Sequence, residues 1–390
     1  MNYYVFNDYK DEPEKKLNYK KVIKVSVIFL ICIVAIVLTA MYIGNNEFRS
    51  WIDKYIFGKE LTENTGAIIE VDSESNSYIY AYDRFIVVLN KNHLQSYSSG
   101  GNKESDIEIT ITNPLFASSG RYLCVAEKGG NKLYLISGEH ILWQKDLENE
   151  ITQINVNKNG YVSVSHKSIV KMFNSDGKDL TTAYLSSTYA ISTAVSNDNS
   201  ELAIAEINYT GGLIQSSVKI ISIDKAQTEP EGAVIYTYKA DKKNIITDIK
   251  YQEGNTLVCM LDGNILKRLG EEITEEVKFD QDTLFADIKL NGYTMEIKKS
   301  KTGLFNQEAE IQIKQIGSNK INLYTISMLP KAVETYEDVI AINMGTEVDI
   351  ISTNGWLIKK YTSTRNVKEV VICGSVAGII YKDKIEVISL

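Results

Sequence analysis

The sequence predicts an all-β fold, a β-propeller of eight blades with seven as the alternative, preceded by one transmembrane α-helix. Three observations predict it. An uncharged apolar run of nineteen residues lies near the N-terminus, the periodicity changes from 3.6 to 2 after Gly66, and one strand pattern recurs eight times through everything that follows.

The apolar run is Val25 to Ile43, VSVIFLICIVAIVLTAMYI. A helix of that length, extended by Val22 and Ile23 with the Lys24 stem reaching back to the headgroups, spans the roughly 30 Å of a hydrocarbon core. The predicted organisation is therefore a basic cytoplasmic tail over 1–21, a membrane helix over 22–44, a juxtamembrane amphipathic helix or linker over 45–65, and an extracytoplasmic β domain over 66–390. Lys15, Lys16, Lys20, Lys21 and Lys24 crowd the N-terminal flank, whereas Arg49 and Lys54 on the other side are balanced by Glu47 and Asp53. This asymmetry places the N-terminus in the cytoplasm and the rest outside. A cleaved signal peptide is the weaker reading, because the run is too long and Ala40-Met41-Tyr42 is no small-x-small cleavage site.

Beyond the span, Phe48, Trp51, Ile52, Tyr55 and Ile56 repeat at helical spacing. They form either an interfacial helix with Trp51 and Tyr55 as belt aromatics, or a helix packed on the domain that follows. Lys20, Lys21, Lys24, Trp51 and Tyr55 are thus the residues assigned to the lipid bilayer.

From residue 66 onward, short β-branched and aromatic runs are separated by Gly, Asn, Asp and Ser. With 4 prolines in 390 residues, little interrupts the strands. The recurring strand begins at Arg84 (RFIVVLN), Arg121 (RYLCVAE), Gly160 (GYVSVSH), Glu201 (ELAIAEI), Asn255 (NTLVCML), Gly292 (GYTMEIK), Asp338 (DVIAINM) and Ala377 (AGIIYKD). The intervals of 37, 39, 41, 54, 37, 46 and 39 residues match one four-stranded blade each. A polar turn precedes each such strand. A second turn recurs later in the unit, at Ile136-Ser-Gly-Glu-His, Phe173-Asn-Ser-Asp-Gly-Lys and Ile351-Ser-Thr-Asn-Gly-Trp, before the outermost strand.

The end of the chain supplies only three strands, VKEVVIC, AGIIYKD and KIEVISL. Residues Ala67 to Val71, AIIEV, have no hairpin partner of their own, so they are predicted to complete the last blade and close the ring. The longest interval, between Glu201 and Asn255, holds Tyr209-Thr-Gly-Gly-Leu-Ile and Gln227-Thr-Glu-Pro-Glu-Gly, the long loops of the fourth blade.

At these strands the chain resembles the propellers of the WD40-like and quinoprotein-like superfamilies. In its plan of basic tail, single span and acidic β domain, it is similar to a DUF5711-like family of membrane-anchored propellers from Gram-positive anaerobes. It has no Trp-Asp dipeptide and no Gly-His pair. The segment Tyr134-Leu-Ile-Ser-Gly-Glu-His-Ile-Leu-Trp143 is similar to the quinoprotein blade ending, which implies that Gly and Trp dock adjacent blades. That superfamily holds both dehydrogenases and assembly scaffolds, so the resemblance leaves the activity open.

Composition narrows the partners. With 42 basic and 50 acidic residues the net charge is −8, the wrong sign for a nucleic-acid binder. His93, His140 and His166 are the only histidines, and none has a metal-ligand neighbour at suitable spacing. Asn174-Ser-Asp-Gly-Lys-Asp lacks the closing Glu of a calcium loop and reads as a hairpin turn. No nucleophile elbow, zincin, Walker or dinucleotide motif occurs. Asn208-Tyr-Thr210 matches a glycosylation acceptor. Cys32 lies in the span, and Cys124, Cys259 and Cys373 sit singly in strands, where they are expected to be buried and inert. No catalytic residue, cofactor site or metal site is therefore assigned. The expected function is a noncatalytic binding or scaffolding module for an envelope protein, a peptide or a wall glycan. The alternative is a propeller enzyme, quinoprotein-like or glycan-cleaving, with its site at the channel mouth. The sequence carries no indication of oligomeric state.

Overall fold

The computed structural model describes residues 19–44, 52, 60–61, 66–71, 77–209, 214–241, 244–302 and 307–390. Contacts divide the chain between Ile52 and Asp53. In the first unit, helix α1 runs over Tyr19–Gly44. Its described side chains, residues 26–39 and Met41, are all exposed. Among the described residues no helix is long and apolar enough to cross a membrane.

The second unit is an eight-bladed propeller, which decides between eight and seven. Each sheet holds four antiparallel strands in sequential order, except for an additional strand on the seventh and a borrowed strand on the eighth. Blades 1 to 7 open with innermost strands Tyr78–Tyr82, Pro114–Ser119, Gln153–Val156, Tyr189–Val195, Ile246–Tyr251, Thr283–Asp287 and Ala332–Tyr336; blade 8 opens with Glu369–Cys373. The eight strands recognised by their recurrence are the second strands of the eight blades. Seven of them are buried on both faces along most of their length, as in Phe85–Asn90, Tyr122–Glu127 and Val339–Asn343. A strand covered on both sides needs apolar residues at every position, which explains their continuous hydrophobic runs. Outermost strands such as Lys103–Glu108 and Val234–Lys239 instead alternate between exposed and half-buried residues.

The ring closes as predicted. Ala67–Glu70 pairs antiparallel with Lys384–Ser389, with Ile69 opposite Ile385 and Ala67 opposite Val387, and forms the outermost strand of blade 8. Gly66 starts this strand against the Val387 main chain, where a Cβ would come within 2.9 Å of the carbonyl oxygen. The segment expected to be a linker also contributes structure: Glu60–Leu61 pairs parallel with Leu357–Thr362 as a fifth strand on the outer edge of blade 7. The wide interval in blade 4 is filled by two eight-residue strands, Glu201–Asn208 and Gln215–Ser222, and by a short helix, α2, over Ile223–Thr228.

The core sits between blades rather than inside them. Buried apolar side chains sort into eight clusters, one at each interface of consecutive blades. The interface of blades 8 and 1 joins Ile385, Val387 and Ile69 to Ile86 and Val88. That between blades 5 and 6 is the thinnest, with Val258, Ile265 and Ile288 as its buried members. Polar ties supplement it: Glu276 pairs with Lys314 at 3.2 Å and with Lys267 at 3.4 Å, and its carboxylate accepts from the Gly317 amide at 3.1 Å.

Trp143, on the outermost strand of blade 2, donates from Nε1 to the Ser175 carbonyl at 3.0 Å. A Cβ on Gly177, at φ +79°, would strike its ring at 2.9 Å. Blade 2 is thereby docked on a turn of blade 3 through Gly177, whereas Gly138, the glycine of the Tyr134–Trp143 segment, has open space where a Cβ would stand.

Candidate functional site

The turns between first and second strands all fall on the same face of the ring. Their lengths divide the ring in half. In blades 3 to 6 the turn has five residues: 157–161, 196–200, 252–256 and 288–292. In blades 7, 8, 1 and 2, which are contiguous around the ring, it has two: Glu337-Asp338, Gly374-Ser375, Asp83-Arg84 and Gly120-Arg121. The first residue of three of these short turns has positive φ, at Asp83, Gly120 and Glu337, as a tight hairpin requires.

The five-residue turns are stitched to one another. Asn157 Nδ2 donates to the Ser196 carbonyl at 3.0 Å, and Asn197 Nδ2 to the Gln252 carbonyl at 2.9 Å. Gln252 Nε2 donates to the Ile288 carbonyl at 2.9 Å, while its Oε1 accepts from the Gly292 amide at 2.8 Å. The belt reaches blade 7 through the Asn291 amide, which donates to the Glu337 carbonyl at 2.8 Å. Amide side chains suit this role because each both donates and accepts.

Open clefts lie in the other half. One, of about 440 Å3, lies between blades 1 and 2 and is lined by Asp83, Arg84, Phe85, Arg121, Glu139 and His140 among others. A second, of about 280 Å3, reaches across blades 7, 8, 1 and 2, where Asp83 and Arg84 meet Gly120, Tyr336, Glu337, Gly374 and Ser375. Beside it, on the innermost strand of blade 5, Lys250 reaches the Lys289 carbonyl and Asn291 Oδ1 of blade 6. Burial lowers the Lys250 pKa to about 8, against the opposing pull of Asp287, Glu337 and Asp248. Burial raises the carboxyls of Asp287, Glu334 and Glu337, and Asp338 adds to the shift at Glu337. The inner strands are tied sideways by Tyr80 Oη with Ser118 Oγ at 3.2 Å and by Ser192 Oγ donating to Asp248 at 2.7 Å.

Lys20, Lys21 and Lys24 lie on α1, while Trp51 and Tyr55 fall outside the described residues. Thr210 to Leu213 of the blade 4 loop also lie outside them; Tyr209, at the loop's start, stacks on Tyr189 at 5.0 Å. The histidines do not converge. His93 is exposed beside Asp106 at 2.8 Å, His140 lines the first cleft, and His166 is buried with Nδ1 facing the Glu150 carbonyl at 3.2 Å. Among the described residues, no three His, Cys, Asp or Glu side chains are arranged to hold a metal ion. Cys124, Cys259 and Cys373 are buried and free, and desolvation pushes the thiols of Cys259 and Cys373 up to about 12. Arg84 and Arg121 are the cleft residues that sequence reasoning missed. Their shared place at the head of the recurring strand was visible, but the short turns that turn them toward a common cleft were not.

A family model described as "Family of unknown function (DUF5711)" matches residues 37–390. The chain belongs to the DUF5711 family. Among solved structures, the DUF5711 chain is similar to the C-terminal WD40 domain of Sif2, at 12% identity over 83% of this chain and 99% of that one, with a TM-score of 0.56. It is also similar to a eukaryotic initiation factor, at 9% identity over 81% and 86% of the two chains with a TM-score of 0.51. BamB from Moraxella catarrhalis is similar at 11% identity over 82% and 95%, with a TM-score of 0.49. At these identities the likeness is one of fold. Among curated proteins none matches the sequence.

Proposed function

We propose that this DUF5711 protein is a single-pass membrane propeller whose N-terminus is cytoplasmic and whose β domain stands outside the cell. We read it as a noncatalytic scaffold for a partner in the envelope of a Gram-positive anaerobe, a protein or peptide ahead of a wall glycan. The observation that carries the binding role is the division of one face. Amide-linked five-residue turns stiffen blades 3 to 6, and two-residue turns leave open clefts of mixed charge over blades 7, 8, 1 and 2. Loops of graded length on a rigid ring are a common way to shape a recognition surface. Support for the anchor comes from the nineteen uncharged residues of Val25 to Ile43, which all lie within α1, and from the lysines on one flank only.

Two measurements test this reading. A reporter active only after export, fused after Leu390, is expected to be active; an inactive fusion reverses the orientation. Chemical crosslinking in intact cells followed by mass spectrometry is expected to recover an envelope protein or peptide joined to the propeller. Recovery of a bound small cofactor and no partner would overturn the scaffold reading.

A further inference from the structure

The geometry points to the cleft between blades 1 and 2 as a binding site for a carboxylate-bearing, acidic peptide segment, gripped by Arg84 and Arg121; this rests on the scaffold reading above. The chain has five arginines among its 42 basic residues, so arginine is a rare choice on its surface. Of the four arginines among the described residues, Arg268 pairs with Glu201 at 3.2 Å and Arg365 with Asp383 at 2.7 Å. Arg84 and Arg121 form no ion pair among the described residues, although both occupy the second position of a two-residue turn on neighbouring blades. The equivalent positions on blades 7 and 8 are Asp338 and Ser375.

Each guanidinium is nevertheless held in place. Arg84 Cζ lies 5.1 Å from the Phe85 ring centre and Arg121 Cζ lies 5.0 Å from that of Tyr122. Arg121 Nη2 also donates to Tyr122 Oη at 3.0 Å. Stacking on an aromatic face leaves the other edge donors of each guanidinium available, and a prepositioned fork loses less entropy when it meets a carboxylate. Both arginines line the same cleft of about 440 Å3, so their forks serve one ligand.

The remaining charges select the anion. Asp83 and Glu139 line the same cleft and offset the charge of the two arginines, so a second negative charge on a ligand gains little net attraction while costing more to desolvate. They also accept from the peptide amides or basic side chains that flank an acidic residue in a protein partner. Two arginines alone would favour phosphate; two arginines framed by two carboxylates favour the single charge of Asp or Glu.

The test uses the full chain in detergent and fluorescence anisotropy with three labelled probes: a neutral peptide carrying one glutamate, the same peptide with glutamine at that position, and the same peptide with phosphoserine there. The glutamate peptide is expected to bind, and the Arg84→Gln/Arg121→Gln variant to weaken it by about tenfold or more. Arg84→Lys/Arg121→Lys is expected to restore only part of the loss, since an ammonium lacks the fork. Glu139→Gln, a change on an exposed turn, is expected to tighten binding by about threefold. Thermal melts of every variant accompany the titrations, and the Glu139→Gln arm decides the matter if the double variant fails to fold. No binding of the glutamate peptide, equal binding of its glutamine counterpart, tighter binding of the phosphoserine peptide, or an unchanged affinity in either the double variant or Glu139→Gln would each overturn the proposal. Recovery of the same envelope partner by crosslinking in Arg84→Gln/Arg121→Gln cells would leave the scaffold reading standing while removing this cleft from it.

Discussion

Asp83 at φ 53° and Glu337 at φ 50° hold a left-handed backbone that glycine adopts without penalty. The contact that joins Glu337 to the amide belt uses its main-chain carbonyl, so it survives a change of side chain. Glu337→Gly is accordingly expected to raise the unfolding free energy by about 1 kcal/mol in a urea melt. A less stable variant would show that the carboxylate itself braces the turn. On the opposite half of the face, burial alone would raise the pKa of Asp198, but hydrogen bonds from Ser196, Ser200 and Asn255 outweigh it and bring it down to about 2. A carboxyl lowered by folding contributes stability that is complete above its ordinary pKa and is lost as pH falls toward the folded value. The stability difference between the parent and Asp198→Ala is therefore expected to be constant near neutrality and to shrink between about pH 4 and pH 2. A difference that does not change over that range would contradict the assignment. Few residues of the candidate site were legible in advance. Arg84 and Arg121 read as polar openings of apolar strands, because a sequence shows which side chains flank a strand and not which cleft they share across two blades.

The second strands were the most legible elements, because burial on both faces forces an uninterrupted apolar run that stands out against polar turns. Outer strands such as Val234–Lys239 are half-solvated, and their alternation blends with that of a loop. Glu60–Leu61 was illegible, since a two-residue strand has no period. Closure by Ala67–Glu70 could be read because the last blade lacked a strand and this segment lacked a hairpin partner. Ile69 is 4% exposed and packs with Ile385 and Val387, so Ile69→Ala is expected to cost about 3 kcal/mol, and removal of residues 385–390 to broaden and lower the melt. An unaffected melt in the truncated protein would show that the ring does not depend on this strand. Blades 5 and 6 share the thinnest apolar interface, supplemented by the ion pairs of Glu276. Hydrogen exchange is expected to show amides of Leu257–Leu261, which meets a large cluster on one face and this thin one on the other, exchanging faster than those of Phe85–Asn90, which has a large cluster on both faces. The reverse order would mean that the polar ties hold the interface as firmly as apolar contact does elsewhere.

At the scale of the molecule, the propeller is a ring whose core is distributed over eight interfaces. Half of one face is committed to holding the ring and half is open. The central claim is that the open half, blades 7, 8, 1 and 2, is where a partner docks. Site-specific photocrosslinking in intact cells tests it most directly, with the photoreactive residue placed at Ser375 in a short turn or at Lys158 in a stitched one, both exposed. The account predicts a discrete crosslinked species from position 375 and none from position 158. A species from position 158 alone, or equal yields from both, would contradict it.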